Sequence, residues 1–191
     1  MKSVSIYALT RKQNLSNLSR LECHLSERDR PLKVRAWEIN SMRALVDQLE
    51  KYMPEVYRLR LFYSFQILRL GQPVRLTAKE FDLLQVKENQ IVNIELKSGA
   101  VSEDAIRRQL IQNRYYLAIL GRPVRSYTYI SSQNRLVRLT NHDHIVEAEW
   151  EQLCAELQEK SADFSGDLED LFQAEWYLIS PLTQPERFLK K

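Results

Sequence analysis

The sequence predicts an α/β fold in which a mixed central β-sheet is flanked by helices, and three observations carry this. Residues 80–98, EFDLLQVKENQIVNIELKS, read as two antiparallel strands, Phe81–Val86 and Ile91–Leu96, joined by the short polar turn Lys87–Gln90. A helix with Met42, Leu45, Val46 and Leu49 at helical spacing precedes them, and a longer helical stretch from Glu103 to Leu120 follows and leads into further strands. Strands interleaved with helices in this way bury both faces of a sheet.

In chain order, residues 4–9, VSIYAL, alternate as a short strand, whereas Leu15–Arg30 is polar with irregularly spaced leucines and suggests no element. Lys33–Ile39 reads as a strand, after which Asn40 or Ser41 caps the early helix, which Pro54 ends just past Tyr52. Arg58–Leu70, rich in aromatics, is strand-like, and Gly71 with Pro73 turns the chain toward the hairpin. Beyond it, Ser98-Gly99 breaks the strand and Ser102 caps the long helix, whose Glu103 and Asp104 suit its dipole. Ile106, Leu110 and Leu117 form one stripe of that helix and Gln109, Gln112 and Tyr116 a neighbouring one. Gly121 ends it, and Val124–Ser131 and Leu136–Leu139 follow as strands. Ile145–Lys160 reads as an acidic amphipathic helix and Asp167–Phe172 as a shorter one, before the apolar, proline-containing tail AEWYLISPLTQPERFLKK. The chain thus divides into an N-terminal extension (1–40), a core (41–145) and an acidic helical C-terminal segment with a linker (146–191).

At 191 residues, 44% hydrophobic and 28% charged, the composition is that of a globular domain. No apolar run approaches the roughly 18–20 residues of a membrane span, and no signal pattern opens the chain, so a cytoplasmic protein without membrane association is expected. Cys23 and Cys154 are isolated and suggest neither a disulfide framework nor a zinc site. The net charge of +3 is uninformative, but its distribution is not. Lys97–Arg138 holds eight basic and two acidic side chains, a local balance of +6, and Asp143–Glu175 a balance of −10. Arg107, Arg108 and Arg114 in the positive zone are candidate contacts to a phosphate backbone. The acidic segment should face a protein.

Alternation along a strand puts Glu95 and Lys97 on one face, and Asp82 comes beside them across the hairpin with Glu80 on its own side. Two carboxylates can hold a hard cation, Mg²⁺ or Mn²⁺, which polarises a phosphate and activates water. A lysine adds positive charge where negative charge builds up. Glu-x-Lys alone is also an ordinary cross-strand ion pair. Here Ile91-Val92-Asn93-Ile94 reads as a buried strand, where charges are rarely kept without a partner or a role.

Asp82, twelve intervening residues, then Glu95-Leu96-Lys97 resembles the PD-(D/E)XK nuclease superfamily, with Phe81 where that pattern has proline. The order helix, strand, strand, strand, helix, strand around the site resembles the restriction-endonuclease-like core, and Gln112 with Tyr116 is similar to the Q-x-x-x-Y helix of RecB-type members. The resemblance implies metal-dependent hydrolysis of DNA. Asp82, Glu95 and the Leu96 carbonyl would hold the metal, Lys97 would orient the attacking water, Gln112 would position that water or the lysine, and Tyr116 would support it. Glu80, and Glu50 at the end of the early helix, are additional acids on the same implication. Residues 60–191 are also similar to a nuclease-like region found ahead of ATPase or helicase domains in bacterial proteins. That implies an ATPase or helicase domain or subunit as partner, in DNA repair or defence against foreign DNA; oligomerisation is left open. The chain shows no phosphate-binding loop, so it is read as an excised domain or as a stand-alone relative. The competing expectation is a nuclease-like fold that binds nucleic acid or a protein without cutting. His142 and His144 read as a solvated turn, and Tyr127 and Tyr129 as packing.

Overall fold

A computed structural model of the chain describes residues 1–11, 14–67 and 79–172. Its elements are β1 (Val4–Ser5), α1 (Ile6–Thr10), α2 (Leu15–Ser26), α3 (Ala36–Tyr52), β2 (Arg60–Ile67), β3 (Lys79–Val86), β4 (Ile91–Lys97), α4 (Glu103–Ala118), β5 (Val124–Ile130), β6 (Arg135–Leu139), β7 (Ile145–Glu147), α5 (Trp150–Leu157) and α6 (Leu168–Leu171). The strands form one mixed sheet in sequence order, β1 to β7. Among the described strands only the β4–β5 pair is parallel, because the 16-residue α4 carries the chain back to the starting end of β4 before β5 begins. The expected α/β sheet flanked by helices is what the chain forms, with the order α3-β2-β3-β4-α4-β5 around the hairpin.

Local hydrogen bonds explain where the elements depart from expectation. Residues 36–39 are the first turn of α3 and not a strand, because the Glu38 carboxylate accepts the Arg35 N–H at 2.9 Å and caps the helix several residues before Asn40. The first strand stops at Ser5, whose hydroxyl accepts the Ala8 N–H and starts α1. The unassigned stretch after Leu15 is α2, capped by the Asn14 side chain through the Ser16 and Asn17 N–H groups. Ile145–Glu147 pair with β6 as a seventh strand, and the helix expected there starts only at Trp150. β1 lies in the segment read as extension, and β7 spans the boundary read at 145/146. Gly71, Pro73 and the apolar tail after Phe172 lie outside the described residues.

The two faces of β4 set up the site. Val92, Ile94 and Leu96 join Tyr127, Tyr129 and the α3 residues Met42, Leu45 and Leu49 in one core. On the other face Ile106 and Leu110 of α4 pack on Ile130 and Val137, and Tyr116 and Leu117 on Phe62, Phe81, Leu84 and Ile91. Phe172 after α6 closes this side against Phe65, with ring centroids 5.2 Å apart. Among the described residues no helix is long and apolar enough to cross a membrane.

Candidate active site

The sheet opens at Asp82. The β2–β3 ladder pairs Tyr63 with Leu83 and Phe65 with Phe81 but skips Ser64 and Asp82, and the β3–β4 ladder stops at Leu83–Ile94. Ser64 has φ 51°, a left-handed conformation inside a strand. The twist it introduces puts Phe62 and Phe65, three residues apart, in the same apolar cluster, where plain alternation would send them to opposite faces. Arg28 clamps this point: its guanidinium donates to the Tyr63 carbonyl at 2.7 Å and the Ser64 carbonyl at 3.3 Å, and pairs with the fully buried Glu22 at 3.2 Å. With the ladder interrupted, the Leu96 N–H turns to the side chain instead and donates to Asp82 Oδ2 at 2.8 Å. Continued one step, the β3–β4 register sets Asp82 beside Glu95.

Glu95 is 1% exposed and, among the described residues, is hydrogen-bonded by neutral amides. Its Oε1 accepts from Asn113 Nδ2 at 2.7 Å and Asn93 Nδ2 at 3.1 Å, and its Oε2 from Gln109 Nε2 at 2.7 Å. Asn113 also donates to Asn93 Oδ1 at 2.9 Å, tying α4 to β4. The parallel register places Ser126 beside Asn93 and Thr128 beside Glu95, and their hydroxyls are buried without a partner among the described residues, as is Asn113 Oδ1. The interior next to Glu95 is therefore polar from β4 through β5 to α4.

The charges around this network perturb one another. Burial raises Asp82 well above the usual aspartate range, Glu95 raises it further and Glu80 adds to this, while the Leu96 N–H and Lys97 pull the other way. Burial lowers Lys79, opposed by Glu95, Asp82 and Glu80, and assisted by Lys97. Glu38 is raised by burial and by Glu80, against the Arg35 N–H and the Arg35 charge. Tyr63 is pushed up beyond the ordinary tyrosine range by burial and then by Glu38 and Asp82. Glu80 accepts the Ser64 hydroxyl at 2.6 Å.

The structure brings together Asp82, Glu95, Leu96 and Glu80, with Lys97 half-buried at the end of β4. Gln112 is exposed and accepts from Lys79 Nζ at 3.3 Å; Gln109, about one turn earlier, is the glutamine on Glu95. Tyr116 is buried in the apolar cluster of α4. Glu50 is exposed at the far end of α3, opposite Arg11 at 3.7 Å, and it is Glu38 at the near end that shares a cavity wall with Asp82 and Glu80. The three arginines of α4 have internal partners: Arg107 donates to the Asp143 carbonyl at 2.6 Å, Arg108 pairs with Asp104, and Arg114 binds the Asp143 carboxylate and the Thr140 carbonyl. Lys79, Asn93, Gln109, Asn113 and Glu38 are the neighbours that the sequence reading did not assign. For Asn93 the signal was present, since it lies two residues before Glu95 and so on the same face.

The donor set suits one hard, hydrated cation. Asp82 Oδ1 accepts no hydrogen bond among the described residues, and Glu95 Oε2 accepts only one, which leaves lone pairs on both carboxylates. Mg²⁺ is commonly held by one or two carboxylates and keeps several waters. No cluster of three or more acidic, histidine or cysteine ligands occurs among the described residues. In comparisons with known proteins, the chain matches no family model, no curated protein and no solved structure.

Proposed function

We propose that this chain is a metal-dependent nuclease that hydrolyses DNA phosphodiester bonds on a restriction-endonuclease-like core. The observation that supports it best is the pair Asp82 and Glu95, set side by side where the sheet opens, with two lysines, Lys79 and Lys97, in electrostatic contact with Asp82. A buried carboxylate whose proton affinity is raised by a second carboxylate is a site that gains from a bound cation. Asp82 and Glu95 would hold Mg²⁺ or Mn²⁺, joined by the Leu96 carbonyl. When bound, the ion supplies Lewis-acid polarisation of the phosphate and a water of lowered pKa. Asn93, Gln109 and Asn113 fix the Glu95 rotamer, Lys97 orients the attacking water, and Lys79 adds positive charge toward the phosphate. Gln112 acts through Lys79. An ATPase or helicase partner, and a role in DNA repair or in defence against foreign DNA, belong to the same reading and rest on the resemblance of residues 60–191.

The test is divalent-dependent cleavage of single- and double-stranded DNA. Lys97→Ala should lose on the order of a hundredfold in rate, the scale of removing one group that stabilises developing charge; equal activity of the two proteins removes the assignment. A second reading, a nuclease-like module that binds without cutting, is favoured by the three amide donors already on Glu95 and by the two-carboxylate donor set. Calorimetric titration with Mn²⁺ separates them: the enzyme binds the ion and Glu95→Ala does not, whereas the module has no need of it.

A further inference from the structure

A cavity of about 310 Å³ lies on the α3 side of Asp82. Its walls carry two kinds of chemistry. Asp82 and Glu80 from β3 and Glu38 from α3 provide acids, while Lys33, Arg35 and Trp37 at the start of α3 provide two cations and an indole. Arg35 interacts electrostatically with Glu38 without forming a close salt bridge, Lys33 makes no salt bridge among the described residues, and Trp37 is 37% exposed although its neighbour Ile39 is buried. The two cations and the open aromatic ring are what a phosphate and a planar base would use, and a volume near 300 Å³ is at the lower end of small-molecule sites. A base in a duplex could enter only after being unstacked and unpaired, at a cost of a few kcal/mol.

We infer that this cavity receives one unpaired nucleotide of a nucleic-acid strand, its base on Trp37 and its phosphate between Lys33 and Arg35, so that the protein binds single-stranded nucleic acid in preference to duplex. This rests on the nuclease reading for its orientation, since the nucleotide would be seated beside the scissile phosphate at Asp82. The α4 arginines, by contrast, are already occupied by Asp104 and Asp143.

The experiment uses the full chain, a fluorescently labelled oligothymidylate and a duplex of the same length, with Ca²⁺ in place of Mg²⁺ to suppress cleavage. The single strand should bind at least tenfold tighter than the duplex. Trp37→Ala should weaken single-strand binding by roughly 5- to 150-fold, the range for one lost base stack, and Trp37→Phe should restore most of it. Lys33→Ala with Arg35→Ala should flatten the salt dependence by about 0.7 per phosphate contact. Since Trp37 is exposed, its replacement leaves the core intact, and circular dichroism checks this. Duplex binding as tight as single-strand binding, or no effect of Trp37→Ala, overturns the inference. Because binding is read without cleavage, the two proposals fail separately. A protein that cuts but shows no Trp37-dependent binding keeps the nuclease reading, and one that binds through Trp37 but never cuts loses that reading alone.

Discussion

Asn113 of α4 donates to Glu95 Oε1 at 2.7 Å, so the most deeply buried acid of the site is held by a neutral amide from the helix that follows its strand. The arrangement couples fold and site: the hydrogen bond that orients Glu95 also helps dock α4 on β4.

Replacing that amide should therefore be costly. Asn113→Ala leaves Glu95 Oε1 with only Asn93 as a donor and deprives Asn93 Oδ1 of the Asn113 N–H, in a region closed to solvent. Leaving buried polar groups unsatisfied costs about 1–3 kcal/mol, read as a lower denaturant midpoint with the slope unchanged. Asn113→Asp should cost more at neutral pH, since it places a second carboxylate against Glu95, and its deficit should shrink as the pH is lowered.

Asp82 predicts a pH dependence with a defined sign. Its folded-state affinity for a proton is raised above the ordinary aspartate value of about 3.9. Its contribution to stability is thus fully present below that value and is lost as pH rises through the folded pKa, where an ionised, buried carboxylate must be tolerated. Asp82→Asn keeps an oxygen for the Leu96 N–H and removes the charge, so it should be more stable than the wild type at neutral pH, with the difference vanishing in acid. On the nuclease reading, Ca²⁺ should stabilise only the wild type, by about 2.7 kcal/mol at a hundred times the dissociation constant. Equal Ca²⁺ shifts in both proteins would break the link between Asp82 and the cation.

The arginines of α4 give a third expectation. Arg107 and Arg114 tie the helix to the turn at Thr140–Asp143, and Arg108 is paired with Asp104 along the helix. The Arg108–Asp104 pair is exposed and the Arg114–Asp143 pair partly so, and breaking the exposed one should cost no more than about 1 kcal/mol. If the positive zone contacts DNA, Asp143→Asn and Asp104→Asn should strengthen binding and steepen its salt dependence. Replacing the three arginines with alanine should flatten the slope by about 0.9 per duplex phosphate lost. Binding unchanged in both directions would place the backbone elsewhere.

The hairpin from Lys79 to Lys97 was legible because alternation and turn chemistry are local: β4 and the Ser102 cap fall where the residue pattern puts them and β3 starts two residues before Phe81, while α4 already ends at Ala118 with Ile119 as its cap, short of the stop expected at Gly121. The elements that differ were decided by a single side chain acting on the backbone, Glu38 for the start of α3 and Ser5 for the end of β1. β7 was hidden because three residues joining a sheet edge carry too little pattern to compete with an adjacent helical period. At the site, the sequence supplied Asp82, Glu95 and Lys97 in order. It did not supply their surroundings, since whether Gln109 or Gln112 reaches Glu95 depends on the rotation of α4 over the sheet, and Glu38 reaches the cavity through the tertiary path of α3.

The least local feature is the turn in β2 that opens the sheet, and it yields the last expectation. In an ordinary extended strand glycine is less stable than alanine, because it loses more conformational freedom on folding. Ser64 is at φ 51°, where a Cβ is unfavourable by roughly 1–2 kcal/mol. Ser64→Gly should thus be more stable than Ser64→Ala by about 1 kcal/mol, the reverse of the usual order. Both variants lose the hydroxyl that Glu80 accepts, so the difference between them reports the backbone alone. The Arg28 clamp should matter more than either: Arg28→Ala leaves Glu22 buried without its cation and frees the Tyr63 and Ser64 carbonyls, which should cost about 3–5 kcal/mol. If Ser64→Gly is instead the less stable of the two glycine and alanine variants, β2 runs straight through this point. The gap that frees the Leu96 N–H for Asp82 would then lack its structural cause.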